Sequence, residues 1–211
     1  LHGSSAASDV YKRQSGDSKT EKIWFELNAK LNPTEFLGYS VNETESAVIS
    51  IISNGKECKT LKSSESGTLI LNQTVFYAES GGQIGDQGKI FGNDFTFQVN
   101  DTKKKGNLIL HIGTITEGKI NKNDQVKCHI NEERRNNCRS YHSATHILHQ
   151  ALRDELGGHV AQKGSLVSHD KLRFDFSHHL AMSQNEINAV ELKINKVCLL
   201  YTSPSPRDLA V

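Results

Sequence analysis

The chain has 211 residues, with 25 lysines and arginines against 24 aspartates and glutamates, a net charge of +1 and 36% hydrophobic residues. That length and composition suit one or two modest domains with real cores, and the balanced charge does not announce a nucleic-acid binder. No apolar run reaches the roughly eighteen residues a membrane-spanning helix needs, and the start lacks the charged-then-apolar pattern of a signal peptide, so neither a membrane nor a DNA partner is expected. Cys58, Cys128, Cys138 and Cys198 have no paired spacing. Reduced thiols in a cytoplasmic compartment are therefore expected, rather than a disulfide framework.

In chain order, residues 1–14 (LHGSSAASDVYKRQ) are rich in small residues and lack periodicity, and 198–211 (CLLYTSPSPRDLAV) bring two prolines after an abrupt break in a helical pattern. Both stretches are expected to be non-native flanks outside the fold, of the translated-adaptor kind. From 15 to 37 the charged, mildly amphipathic TEKIWFELNAKL predicts a linker or a helix belonging to a preceding domain. Over 38–130, short apolar runs at 47–52, 68–71, 88–91, 95–99, 108–112 and 125–130 alternate with turn-forming clusters such as SNGK, GND and KKKGN. That spacing predicts a small antiparallel barrel or sandwich. The triplet Lys103–Lys105 is expected in a solvated hairpin loop, with RNA contact as the rarer alternative.

After Asn131 the pattern changes. Tyr141, Ala144, Leu148, Ala151, Leu152 and Leu156 recur at helical spacing over 132–156, Glu132 and Glu133 suit a helix start, and Gly157-Gly158 suits a stop. A strand follows in which Leu172, Phe174 and Phe176 share one face. Ser183 and Glu186 form a capping box for a last helix carrying Ile187, Val190, Ile194 and Val197. The expected fold class is α+β, with a small antiparallel β-barrel subdomain (38–130) leading into a second α+β subdomain (131–197).

The predicted helix contains His-Ser-Ala-Thr-His at 142–146. Residues four apart lie on one face of a helix, so His142 and His146 can grip one metal ion. His149 falls on the same side. A zinc protease would need glutamate at position 143 as its base, and Ser143 removes that reading. A bare pair of this kind is also what two surface histidines at helical spacing would look like, since zinc sites take three or four ligands.

Three segments taken together decide between these. FYAESGGQ with GD-x-G at 76–88, HSATHILHQALR at 142–153 and QKGSLV…LRFDFSH at 162–178 resemble, in this order, the editing domain of the alanyl-tRNA synthetase family. EFLGYS at 35–40 is similar to the start of that domain's barrel. The resemblance implies a zinc ion held by His142 and His146. In the family a later Cys-x-x-x-His completes the site, and this chain has none after the pair: four residues after Cys198 stands Thr202. The chain thus carries half of a zinc site, with His149 as an alternative third ligand or a packing residue.

The implied reaction is hydrolysis of the ester joining a wrong amino acid, serine or glycine, to tRNA(Ala). Such a step is needed because one small group discriminates by only about 1–3 kcal/mol in a binding pocket. Whether the ion activates water or positions the substrate is left open. By position in the motifs, Gln162 matches a polar residue lining the editing pocket and Thr74 a hydroxyl that reads the serine side chain. Val75 stands where the family has proline. Gly81, Gly82 and Gly85 suit positive φ in a tight loop, and Gly81 and Gly82 also suit close approach of the tRNA end. Lys163, with Arg134, Arg135 and Arg139, is a weaker phosphate contact, for which a solvated face is an equal explanation. Glu79 and Asp86 read as loop-stabilising. ATP and Mg2+ belong to the ligase reaction of the longer parent, and nothing here resembles an ATP site. A freestanding AlaX-type deacylase and a truncated, inactive metal- or tRNA-binding module are the competing readings. The spelling Ala78-Glu79-Ser80 and the material before residue 60 favour the synthetase, and the related domain of threonyl-tRNA synthetase has no counterpart to the 74–88 run.

Overall fold

The computed structural model describes residues 22–201, with side chains as far as Val197. Of the flanks expected at 1–14 and 198–211, residues 1–14 and 202–211 lie outside the described residues, whereas 198–201 continue the last helix, which ends at Tyr201 rather than breaking before Cys198. The chain divides into two compact units, one comprising residues up to Glu79 together with Gly85–Glu132, the other Ser80–Ile84 together with the residues from Glu133 onward.

The first unit opens with helix α1 (22–30) and continues through β1 (Glu35–Phe36), β2 (Glu43–Ser53), β3 (Lys56–Cys58), β4 (Thr60–Lys62), β5 (Ser66–Leu71), β6 (Gln73–Thr74), β7 (Gly88–Phe91), β8 (Thr96–Lys105), β9 (Leu108–Glu117), β10 (Lys119–Asn121) and β11 (Gln125–Ile130). The sheet runs β11-β7-β8-β9-β5-β2, and β2 pairs again with β11 to close an antiparallel barrel. Closure leaves these strands no free edge.

Several of the apolar runs are apolar on successive residues, and the barrel explains why. Ile51, Leu69 and Leu71 join Phe97, Val99, Ile115 and Val126 in the barrel core. Their neighbours Ile52 and Ile70 point the other way and, with Leu108 and Leu110, meet Leu27, Ile23 and Trp24 of α1. Successive strand residues face opposite sides, so a strand covered on both faces reads as a continuous apolar run. Helix α1, expected as a linker or part of a preceding domain, thus packs on the barrel itself. Asn28 pins it there: its amide donates to Lys105 O (3.0 Å) and its carbonyl accepts the Asn107 N–H (2.9 Å).

The lysine triplet departs from expectation. Lys103, Lys104 and Lys105 are exposed, but they pair in register with Leu110, Ile109 and Leu108, so they end strand β8 rather than form a loop. The turn is only Gly106-Asn107. The apolar run of β9 carries the pairing to the end of the hairpin, and lysines tolerate the solvent-facing side of that ladder.

In the second unit, α2 (Glu132–Leu156) is followed by the antiparallel hairpin β12 (Gln162–Val167) and β13 (Leu172–Phe176), then α3 (Gln184–Tyr201). Ala151, Leu152, Val160 and Val190 form its core, with Leu148, Leu156, Phe174, Phe176 and Ile194 packed against them. The capping box is present: the Ser183 N–H donates to Glu186 Oε2 (2.7 Å) and the Glu186 N–H to Ser183 Oγ (3.4 Å). The bonds from Ser183 hold the Glu186 carboxyl below the usual carboxylate range. Among the described residues no helix is long and apolar enough to cross a membrane.

Candidate functional site

Helix α2 brings the two histidines of the HxxxH run onto adjacent turns, both exposed, with ring centroids 5.1 Å apart and planes inclined by 54°. Thr145, directly before His146 in the chain, is buried, its hydroxyl donating to Tyr141 O (2.8 Å). One turn further, His149 tilts against Phe174 of β13 at 5.1 Å. The His149 Nε2 atom is buried and has no hydrogen-bond partner. A buried polar atom left unsatisfied is uncommon in native structures and calls for an explanation.

These side chains line a cavity of about 120 Å3 together with Gly81, Gln162, Ser165, Val167 and Phe174. The volume equals that of roughly four liquid-water molecules, at about 30 Å3 each. It suits a small polar group.

One wall comes from far upstream. Gly81 and Gly82 have φ of +59° and +84°, and a Cβ on Gly82 would lie 2.4 Å from Ser165 O. Only glycine both reaches that backbone conformation without strain and lets the loop touch the hairpin. Val167 N–H donates to Gly82 O (2.7 Å) and Ile84 N–H to Val167 O (3.1 Å), fastening Ser80–Ile84 to β12. The loop delivers Gln83, 7% exposed, whose Oε1 lies 2.9 Å from His142 Nδ1.

Of the residues marked in the sequence, His142, His146, Gln162 and Gly81 line this cavity, and Gly82 supports it through Ser165. Lys163 is exposed on β12 and is not among the lining residues. Thr74 belongs to the first unit. It is fully buried there, its hydroxyl donating to His111 Nε2 (2.8 Å) and accepting the Phe76 N–H (3.1 Å). Gly85 does not have positive φ. It is glycine because a Cβ would meet Thr102 O at 2.1 Å. Asp86 is a loop-stabilising residue, accepting the Tyr77 N–H at 2.7 Å, and Glu79 lies 3.9 Å from Lys103. Arg135 is 3% exposed and so is not on a solvated face, while Arg134 lies against His169. Among the described residues no three His, Cys, Asp or Glu side chains are arranged to hold a metal ion.

The contribution of Gln83 was not foreseen, although its signal, glutamine directly after two glycines, lies in plain view. A histidine group in the second unit was missed too: His159 Nε2 and His178 Nδ1 are 2.9 Å apart, and the His179 ring stacks on His159 at 4.7 Å.

The model of the family described as tRNA synthetases class II (A) matches residues 4–134, more than half of the chain and a range that takes in most of the opening stretch set apart above. The chain is 48% identical over 198 residues to the alanine–tRNA ligase of Rhodopseudomonas palustris, and 44% identical over 198 residues to that of Nitrobacter winogradskyi. Each match covers 93% of this chain and 22% of the relative, so the chain spans about a fifth of the length of these curated relatives. By this likeness and by the family match, the chain belongs to the alanine–tRNA ligase family of class II tRNA synthetases.

Proposed function

We propose that this chain is the proofreading region of an alanine–tRNA ligase, which hydrolyses the ester of serine or glycine wrongly attached to tRNA(Ala) in a zinc-dependent manner. The observation that carries this reading is the convergence of His142, His146, Gln162 and Gly81 around one small cavity, from three separate stretches of sequence. Ligation of alanine to tRNA, with its ATP and Mg2+, is assigned by this reading to the longer protein. A cytoplasmic setting goes with it.

His142 and His146 supply two of the three or four ligands that a zinc site takes. His142 Nδ1 is engaged by Gln83, which leaves Nε2 available, and His146 offers a second imidazole one turn away. His149 Nε2 lies unsatisfied on the same cavity wall. Zn2+ accepts neutral imidazole nitrogen and, once bound, supplies a Lewis acid for ester cleavage. The remaining work falls to the chain. Gln162, exposed at the start of β12, can hydrogen-bond the ester or amino group of the aminoacyl end. Gly81 has no side chain to obstruct the terminal adenosine, and a Cβ there would meet nothing within 4 Å. Lys163 is left as a phosphate contact. Thr74, as a reader of serine, could act only as an acceptor, because its proton is committed to His111 and one lone pair to Phe76.

The test is hydrolysis of Ser-tRNA(Ala), Gly-tRNA(Ala) and Ala-tRNA(Ala) by the purified chain with Zn2+ supplied. Release of serine and glycine but not alanine, abolished by His146→Ala, is the expected result. A folded chain that releases none of them would overturn the deacylase reading. It would favour the alternative of a metal- or tRNA-binding piece whose activity needs further ligands, the Cys-x-x-x-His of the family.

A further inference from the structure

Gln83 stands 59 residues before His142 in sequence, yet its side chain meets the ring at 2.9 Å. We propose that Gln83 is the positioning residue that fixes the ring and the tautomer of His142. Its Oε1 accepts a hydrogen bond from Nδ1–H, which leaves the Nε2 lone pair free to meet an ion. This inference rests on the metal reading given above.

Three features single out this contact. First, the backbone of Gln83 is already used: its N–H donates to Ser80 O (3.0 Å) and its carbonyl accepts the Ser80 N–H (3.1 Å). The tight loop is locked, so the side chain leaves it along one fixed direction. Second, the loop itself is held by the approach of Gly82 to Ser165 and by the Val167–Gly82 hydrogen bond. Gln83 is therefore buried beside a histidine that is itself exposed. Ordering a glutamine in that way loses rotamer freedom, and the bond to His142 is a specific return for it. Third, the chemistry is directional. A neutral imidazole donates from one nitrogen and accepts at the other, so a carbonyl at Nδ1 selects the tautomer that a metal at Nε2 requires. Outer partners of this kind orient ligating histidines, and their loss typically lowers metal affinity about 10–100-fold.

Gln83→Met keeps the length of the side chain and removes the acceptor, whereas Gln83→Glu keeps an acceptor. In the full chain without metal, 15N NMR of the His142 ring should show the Nδ1–H form in the unaltered protein and in Gln83→Glu, and a mixture of tautomers in Gln83→Met. Zn2+ affinity, read by competition with a chromophoric chelator, should fall about 10–100-fold in Gln83→Met and recover to within a few-fold in Gln83→Glu. A merely structural glutamine would lower the thermal midpoint of both variants and leave tautomer and affinity alike. An unchanged tautomer in a folded Gln83→Met variant overturns the proposal, as does a Gln83→Glu variant that behaves like Gln83→Met. Should the unaltered chain bind no Zn2+, the metal reading falls, and the tautomer alone then decides whether Gln83 sets the ring.

Discussion

The barrel unit and the helix unit each bury a histidine nitrogen, and they treat it in opposite ways. In the barrel, His111 is wholly enclosed, with Nε2 accepting from Thr74 and Nδ1 donating to Leu69 O at 3.1 Å. Both nitrogens are satisfied, and burial pushes its pKa down to about 4, so the ring is neutral. In the helix unit, His149 keeps Nε2 buried with no partner at the wall of a cavity that two other histidines share. A satisfied buried imidazole is part of the framework that specifies a core. An unsatisfied one at a cavity wall is uncommon and is what makes His149 a candidate for the proposed site. The contrast lies in hydrogen-bond accounting: two partners for His111 and none at Nε2 of His149.

The comparison can be broken most forcefully at His111. Its replacement by alanine should destabilise the barrel by about 3–5 kcal/mol, the range for deleting a large buried ring, and leave Thr74 without its acceptor. Trp24, the chain's one tryptophan, packs against the barrel, so its fluorescence in a urea titration reports this unit. A loss below about 1 kcal/mol would show that the network is not structural.

Acid should act on the same residue with a somewhat smaller effect. The unfolded chain takes up a proton on His111 below pH 6.5, whereas the folded barrel takes it up only near pH 4. The stability held above pH 6.5 is therefore lost as the pH falls towards 4, by about 3 kcal/mol. Urea midpoints at pH 7 and pH 4.5, compared between the unaltered protein and a folded His111→Gln variant, would expose a pH dependence that the variant lacks.

A third test sharpens the role of the loop. Gly82→Ala places a Cβ in a positive-φ residue against Ser165 O and should destabilise the helix unit by about 1–3 kcal/mol. The loss would be read from the far-UV helix signal of α2 and α3, with Trp24 fluorescence unaffected. The smallest effect belongs to His149. His149→Phe removes an orphaned nitrogen while keeping a ring against Phe174, so stability should stay within about 0.5 kcal/mol or rise slightly. A loss of 2 kcal/mol or more, on the order of a broken buried hydrogen bond, would mean that Nε2 has a structural partner after all.

Local signals made much of the second unit legible. The helix over 132–156, its stop at Gly157, the strand face of Leu172, Phe174 and Phe176 and the Ser183–Glu186 capping box all depend on neighbours within a few residues. The apolar runs of the barrel were legible for the same reason, and so was the pairing of His142 with His146, which needs nothing beyond helical spacing. What spacing could not carry were contacts between distant segments. The charge of the lysine triplet points to a loop, and only its partner strand β9 makes it a strand end. Gly85 was given a conformational role when the cause is an approach to Thr102 across the fold.

The sequence by itself determined which segments become helix or strand and which residue types share a face, because periodicity and capping act over one or two turns of chain. Only the tertiary structure decided that Gln83 meets His142, that Gln162 and Gly81 come to the same small cavity, that His149 is left unsatisfied there and that His111 is not. Those outcomes follow from burial and from hydrogen bonds between residues tens of positions apart, and no local pattern encodes the partner at the far end.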